Sequence, residues 1–306
     1  MDYTKDISVI IPHRDSVQYL PQLLSTIPKS ERVEILIVDN SVDKLTMDKI
    51  DTDRQINILY SEPERGAGGA RNVGMEHAQG KWLIFADADD YFHSNAFAQF
   101  YDHLDSVAEL IYFTAESVYQ DTKENSDRGQ YFVDIVHDYL YGSKDELRLR
   151  LCFASPCCKM VSHALVDRHQ LRYDEVPASN DKYFSMLTGY YATSIEAVDA
   201  PVYVMTITQG SLTHRHDFAS VLSRLKVIFR YNQFLRAHGL GKYQQSMLNY
   251  FIIALQARPY AFPYLLWLLV RFQQNPLIGV SRWFKTAKHL KEKRKTEKEK
   301  GLSHQL

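Results

Sequence analysis

Cysteine is scarce in this chain, with three in 306 residues: Cys152, Cys157 and Cys158. So few thiols exclude a disulfide-stapled scaffold and fit a reducing compartment, where small buried hydrophobes are their expected role. Together with His163 they match no zinc-ligand spacing. The opening MDYTKDISVIIP lacks a cationic stretch followed by an apolar one, so no secretory leader is expected and the body is read as cytoplasmic. No apolar run is long enough to cross a bilayer. The strongest, YAFPYLLWLLVRF at 260–272, falls short of a hydrocarbon core of about 30 Å at about 1.5 Å per helical residue. The globular part has no basic stripe, which excludes nucleic acid as a partner. No internal repeat or low-complexity linker precedes the basic C-terminal stretch.

What is present is an ordinary soluble composition, 45% hydrophobic and 24% charged, enough to bury one large domain with an appendage. The net charge of −1 hides an asymmetry. Residues 282–300 hold nine Lys or Arg against three Glu, a net of +6 that leaves −7 elsewhere. A basic end on an acidic body calls for an anionic partner, most simply a membrane surface. Trp267, Trp283 and Phe284 among the cations suit a headgroup region. The alternative is a packed helix at 260–272 followed by a solvated tail.

The first 115 residues alternate strand-like and helix-like signals. ISVII (7–11), VEILIVD (33–39), INILY (56–60) and KWLIFAD (81–87) are continuous apolar runs. Residues 16–27 place Val17, Leu20, Leu24 and Ile27 at helical spacing, and RGAGGARNVGMEHAQG reads as a Gly-rich turn opening a short helix. Such βαβ alternation predicts a mostly parallel sheet covered by helices on both faces. Beyond it, 110–121, 129–136 and 196–208 read as strands. Residues 143–151, a segment opened by Asn180 or Asp181, and 218–238 read as helices. The expected division is an α/β domain over 1–217, with halves 5–115 and 116–217, and a helical extension over 218–306.

In an open α/β sheet the ligand lies beyond the carboxyl ends of the strands. Those ends carry Pro12-His13-Arg14-Asp15, Asp39-Asn40-Ser41, Glu62 to Arg71, and Asp87 to Asp90. The last is the sextet FADADD. A cap accounts for one Asp, or two, but three acids in four residues repel one another unless a cation sits among them. Hard divalent cations prefer such oxygen ligands.

The order ISVIIP, EILIVDNSVD, ERGAGGARNVGMEHAQGKWLIFADADD resembles the N-terminal half of the inverting GT-A-type glycosyltransferases of family 2. SPCCKMVSHALVDRHQLRYDE, NDKYFSM and YVMTITQGSLTH resemble its acceptor-side half, so the likeness covers residues 5–215. It implies a GT-A, Rossmann-like fold and metal-dependent transfer of a sugar from a nucleotide diphosphate to an acceptor hydroxyl. By the same resemblance Asp89 ligates Mg or Mn, and Asp87 lies nearer the ribose or shares the metal through water. Asp90 is read as a cap for the turn at His93-Ser94. Asp39 is expected to accept from a uracil N–H, and Arg71 to donate to a base carbonyl or phosphate, with Gly68 allowing close backbone approach. Pro12, Arg14 and Asp15 complete the nucleotide side, Arg14-Asp15 departing from the usual Tyr-Asn or Phe-Asn. Asp181 aligns with the family's base, although the preceding Glu is here Asn180. His214 and Arg215 are candidates for diphosphate contact, and Lys159 for structural support. The implied partners are a UDP-sugar and a glycan or lipid-linked acceptor, as in bacterial surface polysaccharide assembly, with peripheral attachment to the cytoplasmic face. A non-catalytic sugar-nucleotide binder is one alternative. A pyrophosphorylase is another, but PHRDSVQYL lacks the glycine that its phosphate loop needs.

Overall fold

The computed structural model describes residues 3–207 and 217–278. The chain divides into two compact units, 1–215 and 216–306. In the first, β1 (Lys5–His13), β2 (Val33–Asp39), β3 (Asn57–Tyr60) and β4 (Gly80–Phe85) pair in parallel, in the order β3-β2-β1-β4. Ile7 of β1 lies opposite both Val33 and Trp82, which fixes the register of the central strands. Pro12 can occupy central β1 because pairing with β4 stops at Ile10 opposite Phe85, so no donor is missed on that side.

The sheet continues with β5 (Tyr91–Phe92), β6 (Leu110–Tyr119), β7 (Lys159–Ser162) and β8 (Ile195–Ile207), giving eight strands in the order β3-β2-β1-β4-β7-β6-β8-β5. Of the seven neighbouring pairs, β4–β7, β6–β7 and β5–β8 are antiparallel. The sheet is therefore mixed, with parallel pairing holding a narrow majority. The change of direction at β4–β7 is where the two halves of the first unit join.

Helices supply the cover. At 16–27 a short turn over Val17–Tyr19 leads into α1 (Leu20–Ser25); Leu20, Leu24 and Ile27 are buried, while Val17 is half-buried. The next two helices are α2 (Gly66–His77) and α3 (Ala96–Asp102). Helix α2 runs through the glycines that read as a turn, so that expectation is corrected. Gly74 explains why a helix fits there: an added Cβ would lie 2.5 Å from Ile10 Cγ2, so the missing side chain lets α2 settle on β1. Residues 129–136 are also corrected, from strand to helix. They open α4 (Gln130–Tyr141), whose buried Ile135 and Val136 belong to a longer helical pattern. Tertiary cover of β6 and β8 overrides the β-branched and aromatic preference of this window. Three further helices, α5 (Glu146–Cys152), α6 (His163–Arg168) and α7 (Asn180–Tyr191), complete the described part of the unit.

The second unit holds α8 (Phe218–Ala237), α9 (Leu248–Ala257) and α10 (Phe262–Arg271). Val221, Leu225, Ile228 and Phe229 of α8 form a core with Met247, Ala254, Leu265, Leu268 and Leu269. Helix α10 thus buries one face, while Trp267 on it stays 56% exposed. Among the described residues no helix is long and apolar enough to cross a membrane.

Candidate active site

The parallel strands all point their carboxyl ends at one edge, and the polar residues singled out from the sequence gather there. At the end of β1 the Arg14 side chain is exposed and donates to the Pro63 carbonyl at 3.3 Å. Asp15 takes a left-handed conformation (φ 50°), which Asp tolerates better than most residues, and its N–H donates to Ser41 Oγ. Two other non-glycine residues with positive φ border the site, Cys158 before β7 and Ser179 before α7. Such outliers persist only where surrounding contacts over-determine them.

Asp39 closes β2 in a way the sequence did not show. Its carboxylate is wholly buried. Oδ1 accepts from His13 Nδ1 at 2.8 Å and from the Ser41 hydroxyl at 2.6 Å, and Oδ2 accepts from the Leu45 N–H at 2.9 Å. These bonds hold its carboxyl below the usual range against the opposing effect of burial. His13, Ser41 and Leu45 thus hold the Asp39 carboxylate in place at the end of β2, where the sequence expects it to meet a base. The group beside it with spare capacity is Asn40, whose side-chain amide has no partner among the described residues.

Arg71 on α2 is the hub. Its guanidinium donates from Nη2 to Asp87 Oδ1 at 2.5 Å and from Nη1 to Asn180 Oδ1 at 2.8 Å. It lies over the Tyr173 ring, 5.3 Å from the centroid. Burial is the largest effect and opposes its charge, but Asp87, Tyr173, Cys157 and Asp181 together outweigh it and raise the guanidinium's pKa. The expected contact from Arg71 to a nucleotide therefore has competition: two of its five N–H donors are committed to Asp87 and Asn180. Its Nε–H is buried without a hydrogen-bond partner. One residue thereby ties the loop after β4 to the start of α7.

Gly68 has a packing reason of its own. A Cβ there would come within 2.1 Å of the Asp174 carbonyl oxygen, and backbone cannot swing aside as a side chain can. Gly68→Ala should therefore push α2 off the 171–179 segment and cost about 1–3 kcal/mol. A fall in melting temperature without any nucleotide present checks this. An unchanged melting temperature with weakened nucleotide binding would return Gly68 to the nucleotide side.

In the DADD stretch the three acids have different fates. Asp87 is paired with Arg71, and its N–H donates to the Tyr203 hydroxyl at 2.8 Å. Asp90 is buried and accepts the Thr206 N–H at 2.7 Å. It is therefore not a cap for His93-Ser94; it clamps the loop to β8. Burial and the carboxylates of Asp89 and Asp87 push its carboxyl well up. The Asp89 side chain has neither an ion pair nor a hydrogen bond to another of the described residues, and burial together with Asp87 raises its carboxyl. These raised values express the repulsion that a cation would relieve.

Does a divalent cation fit? Among the described residues no cluster of three metal-ligating side chains exists. One open carboxylate at a strand end suits a cation held jointly by protein and phosphate oxygens, the usual arrangement for Mg²⁺. Asp89 is the residue that would hold it, with Asp87 close by.

Asp181 is half-buried in the first turn of α7, next to Asn180. Burial pushes its carboxyl above the ordinary range, against the pull of Arg71 and Lys182. Its side chain has no ion-pair partner among the described residues. Beneath the site Lys159 is fully buried, donates to the Phe153 carbonyl at 2.8 Å and lies over the Tyr112 and Phe153 rings. Burial brings its pKa down to about 7. The cysteines are all free and buried.

His214 and Arg215 lie outside the described residues. Sequence reasoning missed Tyr173, Tyr203 and Thr206, and it missed Asn180 as the partner of Arg71. Nothing local marks them, because each acts on a group from a distant segment: Arg71 and Asn180 are 109 residues apart, and Thr206 and Asp90 are 116 apart.

Comparison with known proteins gives the family. Residues 8–169 match the family described as Glycosyl transferase family 2. A Bacillus subtilis (strain 168) protein named as a glycosyltransferase, EpsH, is 22% identical over 261 residues, covering 82% of this chain and 75% of EpsH. The poly(ribitol-phosphate) beta-N-acetylglucosaminyltransferase TarS of Staphylococcus aureus is 30% identical over 115 residues, 34% of this chain but 20% of TarS. Among solved structures, S. aureus TarS 1-349 in complex with UDP-GlcNAc matches with a TM-score of 0.56 at 18% identity, covering 85% of this chain and 73% of that one. The mannosyltransferase PcManGT of Pyrobaculum calidifontis, in complex with GDP-Man and Mn2+, matches with a TM-score of 0.54 at 14% identity, covering 85% and 76%. The fold is GT-A.

Proposed function

The chain belongs to glycosyl transferase family 2, and from that premise we propose that it moves a sugar from a UDP-sugar to an acceptor hydroxyl with inversion at the anomeric carbon. One observation carries the reading: Arg71 brings Asp87, from the acid-rich loop, and Asn180, which neighbours Asp181, to one strand edge. That link supports assigning the general base to Asp181 and the cation to the acid-rich loop. Asp181 takes the proton from the acceptor hydroxyl, and burial makes it a stronger base than a solvated carboxylate. Asp89 would hold a Mg or Mn ion against the diphosphate; when bound, the metal offsets negative charge on the leaving group. Asp87, fixed by Arg71, lines the donor side. Pro12, Arg14 and Asp15 shape its wall, and His214 and Arg215 are carried as diphosphate candidates.

At the base end, Asp39, held by His13, Ser41 and Leu45, and the neighbouring Asn40 read the base. An amide offers an acceptor for the uracil N3–H and a donor for the adjacent carbonyl. The choice of UDP draws support from the UDP-GlcNAc bound in the TarS structure. UDP should bind more tightly than GDP or CDP in calorimetry with metal present. Asn40→Ala should weaken UDP about ten-fold, equivalent to about 1.4 kcal/mol, and leave thermal stability unchanged, because the amide has no partner among the described residues. A ten-fold preference for GDP would overturn the uracil assignment.

The acceptor is a glycan or lipid-linked saccharide of bacterial surface polymer assembly, and the enzyme attaches peripherally to the cytoplasmic face. Relatives acting on such polymers and the basic stretch at 282–300 support this. Nucleotide release from a panel of sugar nucleotides, with and without metal, tests the activity. Tight UDP binding without release for any donor and acceptor would favour the non-catalytic alternative, to which Asn180 in place of the usual Glu lends its one specific support.

A further inference from the structure

Charge divides at the boundary between the two units. From Phe218 to Lys291, 74 residues contain no Asp or Glu and eleven Lys or Arg. Residues 1–217 hold 20 basic residues against 34 acidic ones, a net of −14; residues 218–306 hold 16 against three, a net of +13. The asymmetry therefore begins far before the basic tail, in the folded helices.

Those helices also expose apolar surface. On α10, Leu265, Leu268 and Leu269 enter the core, yet the opposite face is not polar. Phe262, Leu266 and Val270 recur every fourth residue and are 46%, 42% and 77% exposed. Trp267 flanks that line, with the Tyr264 ring stacked on it at a centroid distance of 6.0 Å. Exposed Arg258 and Arg271 bracket the helix. A helix on the surface of a water-soluble domain normally turns polar residues outward; one that is apolar all round is covered by something.

We propose that the outer face of α10 docks on an anionic lipid surface, with Phe262, Leu266, Trp267 and Val270 entering the headgroup–acyl boundary and Arg258 and Arg271 meeting lipid phosphates. The inference rests on the peripheral-attachment reading but assigns the apolar contact to this folded helix instead of to the tail. Two features select lipid. A second copy meeting this face through the same helices would bring like charges together with no acid to pair them. A hydrated polyanion would meet the arginines but leave Leu, Val and Phe facing water. Helix α10, ten residues long, lies along such a surface and does not cross it.

The test uses the full chain and phosphatidylglycerol or phosphatidylcholine vesicles. In a Trp283→Phe protein the remaining tryptophans are Trp267 and Trp82, which is 1% exposed and serves as an internal control. Phosphatidylglycerol vesicles should pellet this protein, shift its emission to the blue, and quench it when the acyl chains are brominated. Trp267→Phe should remove the quenching. Leu266→Asp with Val270→Asp, both at exposed positions, should weaken vesicle binding at least ten-fold and leave UDP binding and the melting temperature unchanged. Pelleting without quenching of Trp267 overturns the assignment to α10 yet leaves peripheral attachment standing. No pelleting at low salt overturns both. Concentration-dependent dimerisation lost in the Leu266→Asp/Val270→Asp variant would make the face a contact between copies. Equal binding to a soluble polyphosphate, with no emission shift, would make it a polyanion site. Either outcome overturns the proposal.

Discussion

Asp89→Ala is expected to abolish sugar transfer while leaving the fold intact. Asp89 is the one acid of the DADD stretch without an ion pair or a structural hydrogen bond among the described residues; Asp87 is held by Arg71, and Asp90 by Thr206. Removing it costs no packing and relieves repulsion, so the melting temperature should hold or rise slightly. Its effect falls on the cation. Loss of one aimed electrostatic stabiliser lowers a rate by about 10²–10³, and loss of the whole metal by more. EDTA should accordingly silence the parent enzyme, with activity restored by Mg or Mn. Full turnover in EDTA would end the metal assignment. Asp90→Ala offers a contrast: it breaks a buried hydrogen bond and should lower stability by about 1–3 kcal/mol.

Asp181→Asn is expected to remove transfer and keep nucleotide-sugar binding. The substitution preserves size and shape and deletes basicity, so rate falls while calorimetric affinity for UDP with metal stays near the parent value. Proton transfer by a positioned base contributes about 10²–10⁴-fold. The pH dependence adds a second reading. Burial holds the Asp181 carboxyl above its usual value of about 3.9. The active, ionised form is lost as pH falls through that raised pKa, so the acid limb of kcat/KM should lie above the ordinary carboxylate range. The stability sign runs the other way. With the folded pKa above the unfolded one, stability declines as pH rises between the two values, and at neutral pH the ionised group is a net cost. Asp181→Asn should therefore be neutral or stabilising at pH 7. Turnover within a few-fold of the parent would exclude Asp181 as the base.

Asn180 bears on why this site differs from its relatives. The usual Glu would place a full charge against Arg71, already paired with Asp87. An amide accepts from the same guanidinium at 2.8 Å without adding a fourth acid to the crowded edge. The geometry that presents Asp181 is kept by that contact and by the left-handed Ser179 preceding α7.

The sequence by itself determined the elements whose signal is local. ISVII and VEILIVD are continuous β-branched runs, which only a strand covered on both faces uses, and β1 and β2 formed there. Leu20, Leu24 and Ile27 were placed inside by spacing alone. The DADD run declared its own electrostatic problem, since repulsion between neighbours in sequence needs no fold to be recognised. Where two tendencies competed, local reading failed. Residues 129–136 carry strand-like side chains but lie within a twelve-residue helix that covers β6 and β8. The glycines of α2 read as a turn because the partners they approach, Asp174 and Ile10, are remote in sequence.

Only the tertiary structure decided the roles within the site. How the Asp39 carboxylate is held depends on His13, Ser41 and Leu45 converging on it from three positions in the chain. Whether Arg71 is a free donor or a strut depends on Asp87 and Asn180, which arrive from different segments. Charge composition was legible along the chain. The apolar face of α10 was not, because a continuous run of Leu, Trp, Phe and Val reads alike whether covered or bare. Packing against α8 and α9 selected the three leucines for the core and left the others outside.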